Sequence, residues 1–206
     1  MYRRLTLLLF AITSVTVICE TPLPSDFLNR LAALGQHQYI HGCYTQIRHM
    51  SSLDMDFEFK GVMAAEQGGR LLWRADSPLK YVCIMSPEKL VQWDGESQKT
   101  ITVSASLFPW LGMLYECQSA WISGDVSMLS KIFDISVSAD SHGLVLIPKE
   151  PKVKNLFSKM EMSFNEDFTA VSSIILHEAG GDLLTIRFHH VQYTSIPPEL
   201  WQIPPK

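Results

Sequence analysis

His177, His189 and His190, the acidic pair Asp54 and Asp56, and the cysteines Cys43, Cys83 and Cys117 are the residues whose types could do chemistry. Strand-borne histidines can meet across a sheet, but zinc asks for further ligands at tetrahedral geometry. No such ligand run accompanies these three, so strand or surface histidines are expected. Asp54 and Asp56 fall in a loop, where solvated charge is the default. The three cysteines form no C-x-x-C pair. They allow one disulfide plus a free thiol in an oxidising compartment, or small apolar core residues, which the usual burial of free cysteine favours. The chain carries no G-x-S-x-G, H-E-x-x-H, Walker loop or G-x-G-x-x-G. Nothing in it requires an enzyme, a metal or a cofactor.

What remains is apolar. Hydrophobic residues make up 47% and charged residues 18% of the 206, enough for one folded domain behind a targeting segment. Phe59, Met63, Leu71, Trp73, Met160, Met162, Ile186 and Phe188 fall in strand-like runs. Phe108, Trp110, Leu111 and Leu114 fall in a run of helical character. On composition alone both sets are ordinary core.

The elements that must position these side chains are mostly strands. Ser25 as N-cap, with Phe27, Leu28, Leu31 and Leu34 at helical spacing, predicts a short amphipathic helix that Gly35 stops. Strands are predicted at Cys43–His49, Phe57–Glu66, Arg70–Ala75, Leu79–Met85, Leu90–Trp93 and Gln98–Val103, joined by turns such as Gln67-Gly68-Gly69 and Asp94-Gly95. Leu79–Met85 is apolar enough for both faces to be covered. Leu107 to Leu114 predicts a second helix with Pro109 in its first turn. Val126, Met128, Leu129, Ile132 and Phe133, capped by Asp125, predict a third. Strands resume at Ile135–Ala139, Leu144–Ile147, Leu156–Phe164, Thr169–His177 and Leu183–Val191. In the third of these Leu156, Met160, Met162 and Phe164 share a face. About eleven strands and three helices without βαβ alternation predict a mainly β, antiparallel meander bent into an incomplete barrel.

The chain opens with Arg3 and Arg4 and then an uncharged apolar run from Leu5 to Ile18. The run is shorter than the roughly 20 residues of a spanning helix and reads as a secretory signal peptide over residues 1–19, with the domain over residues 20–206. A cut before Glu20 puts Val17 and Cys19 at the −3 and −1 positions, neither an alanine-like residue, which leaves an uncleaved anchor as the alternative. Lipidation of Cys19 is disfavoured by the bulky Ile18 before it. Removing this segment takes two arginines and no acid, so the remainder is more acidic than the −4 of the whole sequence. Such a protein lacks the electrostatic footprint of a nucleic-acid binder and has no strong attraction to an anionic membrane.

Local residues then point to a family. Gly42, Tyr44 and Gln46 match a G-x-F-x-Q strand start with Tyr for Phe, and Arg48 follows. Gly61 lies in the second strand, and Gly68-Gly69-Arg70-Leu71-Leu72-Trp73 precedes Pro78. Asp94-Gly95 occupies the next turn, and Leu146-Ile147-Pro148-Lys149 matches L-x-P-K. In order and spacing these residues resemble the outer-membrane lipoprotein carrier (LolA) family over residues 25–200.

The resemblance implies a half-barrel whose helices form a lid over a hydrophobic cavity. Phe59, Met63, Leu71, Trp73, Met160, Met162, Ile186 and Phe188 would line it, with Phe108, Trp110, Leu111 and Leu114 facing it from the lid. It implies a monomeric periplasmic carrier of lipoproteins or other acylated cargo, received from an inner-membrane donor and passed to an outer-membrane acceptor. The alternative is a lipid-responsive sensor module that binds an envelope signalling protein. In the family an arginine in the turn between strands two and three latches the lid. That position falls at Gln67 here, and Arg70 is the neighbouring candidate.

Overall fold

The computed structural model of the chain describes residues 23–107, 115–116 and 126–203. The expected signal segment, the expected lid residues Phe108, Trp110, Leu111 and Leu114, and Cys117 lie outside them.

Helix α1 spans Ser25–Leu34 and buries Phe27, Leu31 and Leu34. These positions recur at three- and four-residue spacing, which puts them on one stripe of the helix. Two details differ from expectation. Pro24 occupies the N-cap position and no side chain caps the helix; Ser25 is already helical, so its hydroxyl is not placed to accept from the first turn. Leu28 faces outward at 37% exposure. Gly35 ends the helix with its N–H bonded to the Leu31 carbonyl at 3.2 Å, in an ordinary right-handed conformation.

The strands are β1 Tyr39–Met50, β2 Met55–Glu66, β3 Leu71–Ser77, β4 Tyr81–Met85, β5 Lys89–Asp94, β6 Lys99–Ser104, β7 Phe133–Val137, β8 Gly143–Pro148, β9 Phe157–Phe164, β10 Val171–Glu178 and β11 Leu183–Gln192. They form one sheet in the order β6-β5-β4-β3-β2-β1-β11-β10-β9-β8-β7, and every neighbouring pair is antiparallel. The sheet is therefore a meander whose first and last strands meet in its middle. Its two edges, β6 and β7, are consecutive in sequence and do not pair, so the barrel is not closed.

Among the described residues the helices longer than one turn are α1 and α2, Val126–Ile132. A third, single-turn helix α3, Pro151–Lys154, interrupts the Pro/Lys loop before β9. The expected helix near residues 107–114, and with it the lid, lies outside the described residues apart from Leu107, in a 3-10 turn at Ala105–Leu107. Phe133, expected in the third helix, instead begins β7 and pairs with Pro148. Leu156 precedes β9 and is 51% exposed, because an irregularity between His177 and Glu178 brings Phe157 rather than Leu156 into register.

Register assigns the faces. Tyr44 lies opposite Gly61 and Phe188, Gly61 opposite Ala75, and Ala75 opposite Tyr81. Met63, Trp73, Cys83, Gln92 and Ile101 form the next row, and Ala65, Leu71, Met85, Leu90 and Val103 the one beyond. Across the middle seam the same face continues through Ile186, Ile174, Met162 and Leu144. The Trp73 and Phe188 rings, on β3 and β11, are 6.2 Å apart, where three strand spacings in a flat sheet would set about 14 Å. This face is concave.

The opposite face is also partly covered. Ala64, Leu72, Val82 and Trp93 pack under Ile196, Leu200, Trp201 and Ile203 of the C-terminal tail. Arg74 fixes the tail by donating from Nη2 to the carbonyls of Leu200 (2.8 Å) and Gln202 (2.9 Å). Both faces of β4 are thus buried, as its apolar composition requires.

Candidate functional site

The concave face has two different floors. Over β7–β10 it is filled: Phe27, Leu31 and Leu34 of α1 and Leu129 of α2 pack onto Phe133, Leu144, Leu146, Met162 and Phe164. Met162 retains 2% exposure and Leu146 none. Over β2–β4 an apolar hollow of ≈ 250 Å³ remains, lined by Tyr44, Gln46, Phe59, Trp73, Ala75, Leu79, Lys80, Tyr81 and Asp94. A second void of only ≈ 30 Å³ lies under the end of α1, lined by Leu34, Ile40, Met63, Val171, Phe188 and their neighbours.

The eight expected lining residues all lie on this concave face, but in different surroundings. Phe59 and Trp73 line the hollow. Met63 and Phe188 are buried beside Tyr44 and Ile174, with Ile186 packed against them. Leu71 is buried with Ala65 and Met85. Met162 belongs to the filled floor and Met160 packs against it. Sequence reasoning passed over Ala75, Leu79, Tyr81 and Asp94. The alternation Leu79, Tyr81, Cys83, Met85 was the available signal, hidden by the equally apolar Val82 and Ile84 between.

The tyrosines and the cysteine of this face stay uncharged near neutrality. Burial pushes the Tyr44 hydroxyl up to about 12, helped by the Asp76 carboxylate and Cys83. Burial raises the Tyr81 hydroxyl as well, and raises the Cys83 thiol beside it. Tyr44 meets Trp73 edge to face with ring centroids 5.0 Å apart, which fixes both rings as wall. Lys80 and Asp94 are the charged residues of the lining. An apolar interior of this size with a few polar groups at its margin suits the burial of a hydrocarbon chain, each methylene of which gains about 0.8 kcal/mol on leaving water.

At the opposite end of the strands, the turn between β2 and β3 is tied down. Gln67 accepts no lid contact among the described residues. Its N–H donates to the Gln38 carbonyl at 2.9 Å, and its side-chain amide reaches the Gly35 carbonyl at 3.5 Å. Arg70 is engaged elsewhere: it makes a two-pronged pair with Glu66 (2.9 and 3.1 Å) and lies 4.2 Å over the Trp201 ring of the tail. A middle-segment contact to this turn comes from Tyr115, whose hydroxyl donates to the Gly69 carbonyl at 3.0 Å while its ring packs against the cluster of Ala65, Leu71 and Met85.

The other candidates of the sequence lie apart. His177 meets the Glu161 carboxylate at 2.8 Å, a group that also pairs with Lys159 and is held below the usual carboxylate range mainly by it. His189 bonds Thr45 at 3.2 Å on the opposite face from the hollow, and His190 is exposed with φ 51°. Asp56 pairs with His49 at 2.8 Å, and Asp54 sits in the β1–β2 turn with φ 49°. Cys43 and Cys83 are both free thiols, on opposite faces of the sheet.

Residues 36–203 match the family model described as outer membrane lipoprotein carrier protein LolA. An outer-membrane lipoprotein carrier protein of Pseudomonas fluorescens is 23% identical over 191 residues, 92% of this chain and 88% of that one. The protein of the same name from Pseudomonas entomophila is 26% identical over 160 residues, 77% and 73% of the two chains. Among solved structures, an uncharacterized conserved protein from Thermus thermophilus superposes with a TM-score of 0.50 at 8% identity, covering 87% of this chain and 93% of that one. This last likeness concerns the fold alone.

Proposed function

Because the chain belongs to the LolA family of outer membrane lipoprotein carrier proteins, we propose that it is a periplasmic carrier that shelters acyl chains of lipoproteins or related lipidated molecules in the hollow over β2–β4. The observation that carries this reading is the unfilled apolar space itself. Phe59, Leu79 and Trp73 stand around it where the other half of the same face is packed solid. Side chains facing an open hollow in this way present apolar area that a guest chain would remove from water.

The division of labour follows. Tyr44, Trp73 and Tyr81 form a rigid aromatic wall, Phe59 and Leu79 the apolar entrance, and Lys80 and Asp94 a polar margin where the hydrophilic part of the cargo meets solvent. Lid residues Phe108, Trp110, Leu111 and Leu114 would cover the chains, and Tyr115 would anchor their segment to the β2–β3 turn. Donor and acceptor proteins at the two membranes complete the route. The protein then works by binding and release, with no covalent step.

The test is titration of a fluorescent fatty acid into the purified protein and its Phe59→Asp variant. A carboxylate at the half-buried entrance leaves the fold intact but makes chain burial costly. Saturable binding by the parent and at least tenfold weaker binding by the variant, at unchanged melting temperature, are expected. Absence of saturable binding, or equal binding by both, overturns the assignment.

A further inference from the structure

The first hairpin outruns its neighbour. β2 pairs with β1 along its whole length, from Glu66 to Met55, whereas β3 pairs with β2 only from Lys60 to Ala65. Beyond Ser77 the chain turns into β4, and among the described residues no strand lies beside the other edge of residues 55–59 of β2. This free edge lies at the mouth of the hollow, where Phe59 and Leu79 share the lining.

Its side chains alternate sharply. Met55, Phe57 and Phe59 point to the concave face, Met55 53% and Phe57 37% exposed. Asp56 and Glu58 point to the other, and Asp54 adds a third acid at the turn without an ion pair among the described residues. His49 and Lys60 offset part of this charge, at 2.8 Å from Asp56 and 2.7 Å from Glu58. Leu79, 46% exposed, flanks the same gap.

We propose that this edge is a docking site for an extended segment of a partner protein, in which apolar residues alternate with lysines or arginines. The segment would add as a strand alongside residues 55–59, in line with β3. Backbone pairing supplies the affinity of such strand addition and alternate side chains supply its selectivity. Its apolar residues would lie beside Met55, Phe57 and Leu79 at the mouth, and its basic residues beside Asp56 and Glu58, where opposite charges side by side are favourable. Charges on a free edge guard against self-pairing. Here a second copy of β2 would set acid beside acid, and an anionic lipid surface would meet the same repulsion. A basic strand is the occupant left by these constraints. The inference concerns a protein partner and is read without lipid, so it stands or falls separately from the acyl-binding assignment.

The probe is a synthetic peptide alternating valine and lysine, added to the purified chain and followed by fluorescence anisotropy and by hydrogen exchange. Expected are saturable binding, slowed exchange confined to residues 55–59 and their β1 partners, and at least a tenfold weaker Kd for the Asp56→Lys, Glu58→Lys double variant. That variant should in turn favour a valine–glutamate peptide. Any of four results overturns the proposal: protection along β6 or β7 instead, equal binding of the valine–glutamate peptide by the parent, an unchanged Kd in the double variant, or protection of residues 55–59 arising from self-association or from phosphatidylglycerol vesicles rather than from the peptide.

Discussion

On β8 and β9 the concave face carries Leu144, Leu146, Met160 and Met162, and α1 lays Phe27, Leu31 and Leu34 over that region. On β3 and β4 the same face carries Trp73, Ala75, Tyr81 and Cys83, and a hollow of ≈ 250 Å³ stands above them. The two floors have the same strand period and similar apolar content. What separates them among the described residues is the arrival of a third party: helix side chains fill one half, while the other has large rings on its walls and small Ala75 and Gly61 on its floor. An apolar strand face is therefore core or container according to what is laid across it.

Truncations should separate the halves most strongly. Phe133→Ala, in the filled half at 1% exposure, is expected to cost about 3–5 kcal/mol, the range for emptying a packed aromatic site. Phe59→Ala, beside existing empty space, should cost about 1 kcal/mol or less, since most of its loss is exposed area rather than new cavity. Chemical denaturation of the two variants reads the difference, and equal losses would break the comparison.

A smaller contrast tests how tightly the hollow's floor is built. A Cβ at Gly61 would sit 1.8 Å from the Arg74 carbonyl oxygen. Gly61→Ala must therefore push β2 and β3 apart, with a loss of about 1–3 kcal/mol. Gly180, in the β10–β11 turn, has nothing within 4 Å, and Gly180→Ala should stay within about 0.5 kcal/mol. Melting temperatures of the pair decide it.

The smallest effect is a pH dependence at the seam between the halves. Asp182 accepts from the Ser51 N–H and hydroxyl, both at 3.0 Å, and these donors, with Arg48 at 3.5 Å, hold its carboxyl below the usual range. A carboxyl depressed in the folded state adds stability that is present above the unfolded value of about 3.9 and is lost as the pH falls through its folded value. Asp182→Asn should flatten the acid limb by lowering stability at neutral pH, where the bonded carboxylate is ionised, and should converge on the parent once the pH falls below the folded value, as acid-unfolding curves would show.

Much of this architecture could be read from the residues. The Asp94-Gly95 and Gln67-Gly68-Gly69 turns stand between the strands they were expected to join, and the alternation from Met160 to Phe164 placed the core face of β9. Phe133 misled because it continues the helical spacing of Leu129 and Ile132. The start of β1 at Tyr39 was missed because Tyr39, Ile40 and His41 do not alternate. Leu156 misled by fitting a period that an irregularity in the pairing breaks. The covering of the outer face by Ile196 to Ile203 had no local signal, since Pro197 and Pro198 read as loop. Which half would be hollow could not be read at all, for it depends on where α1 lands, and that is set by contacts far apart in sequence.

The order of the strands has one more consequence. Because β1 and β11 are neighbours in the middle and β6 and β7 are the outermost pair, the chain resembles a purse closed along its first and last strands, with residues 105–132 linking its two outer edges in sequence. Cutting there would leave the two halves held by the β1–β11 ladder, by the Arg48 and Ser51 bonds to Glu178 and Asp182, by α1 packed on the β7–β10 floor, and by the C-terminal tail packed under Leu72 and Trp93. The fragments should still find one another, since each carries an element that packs on the other.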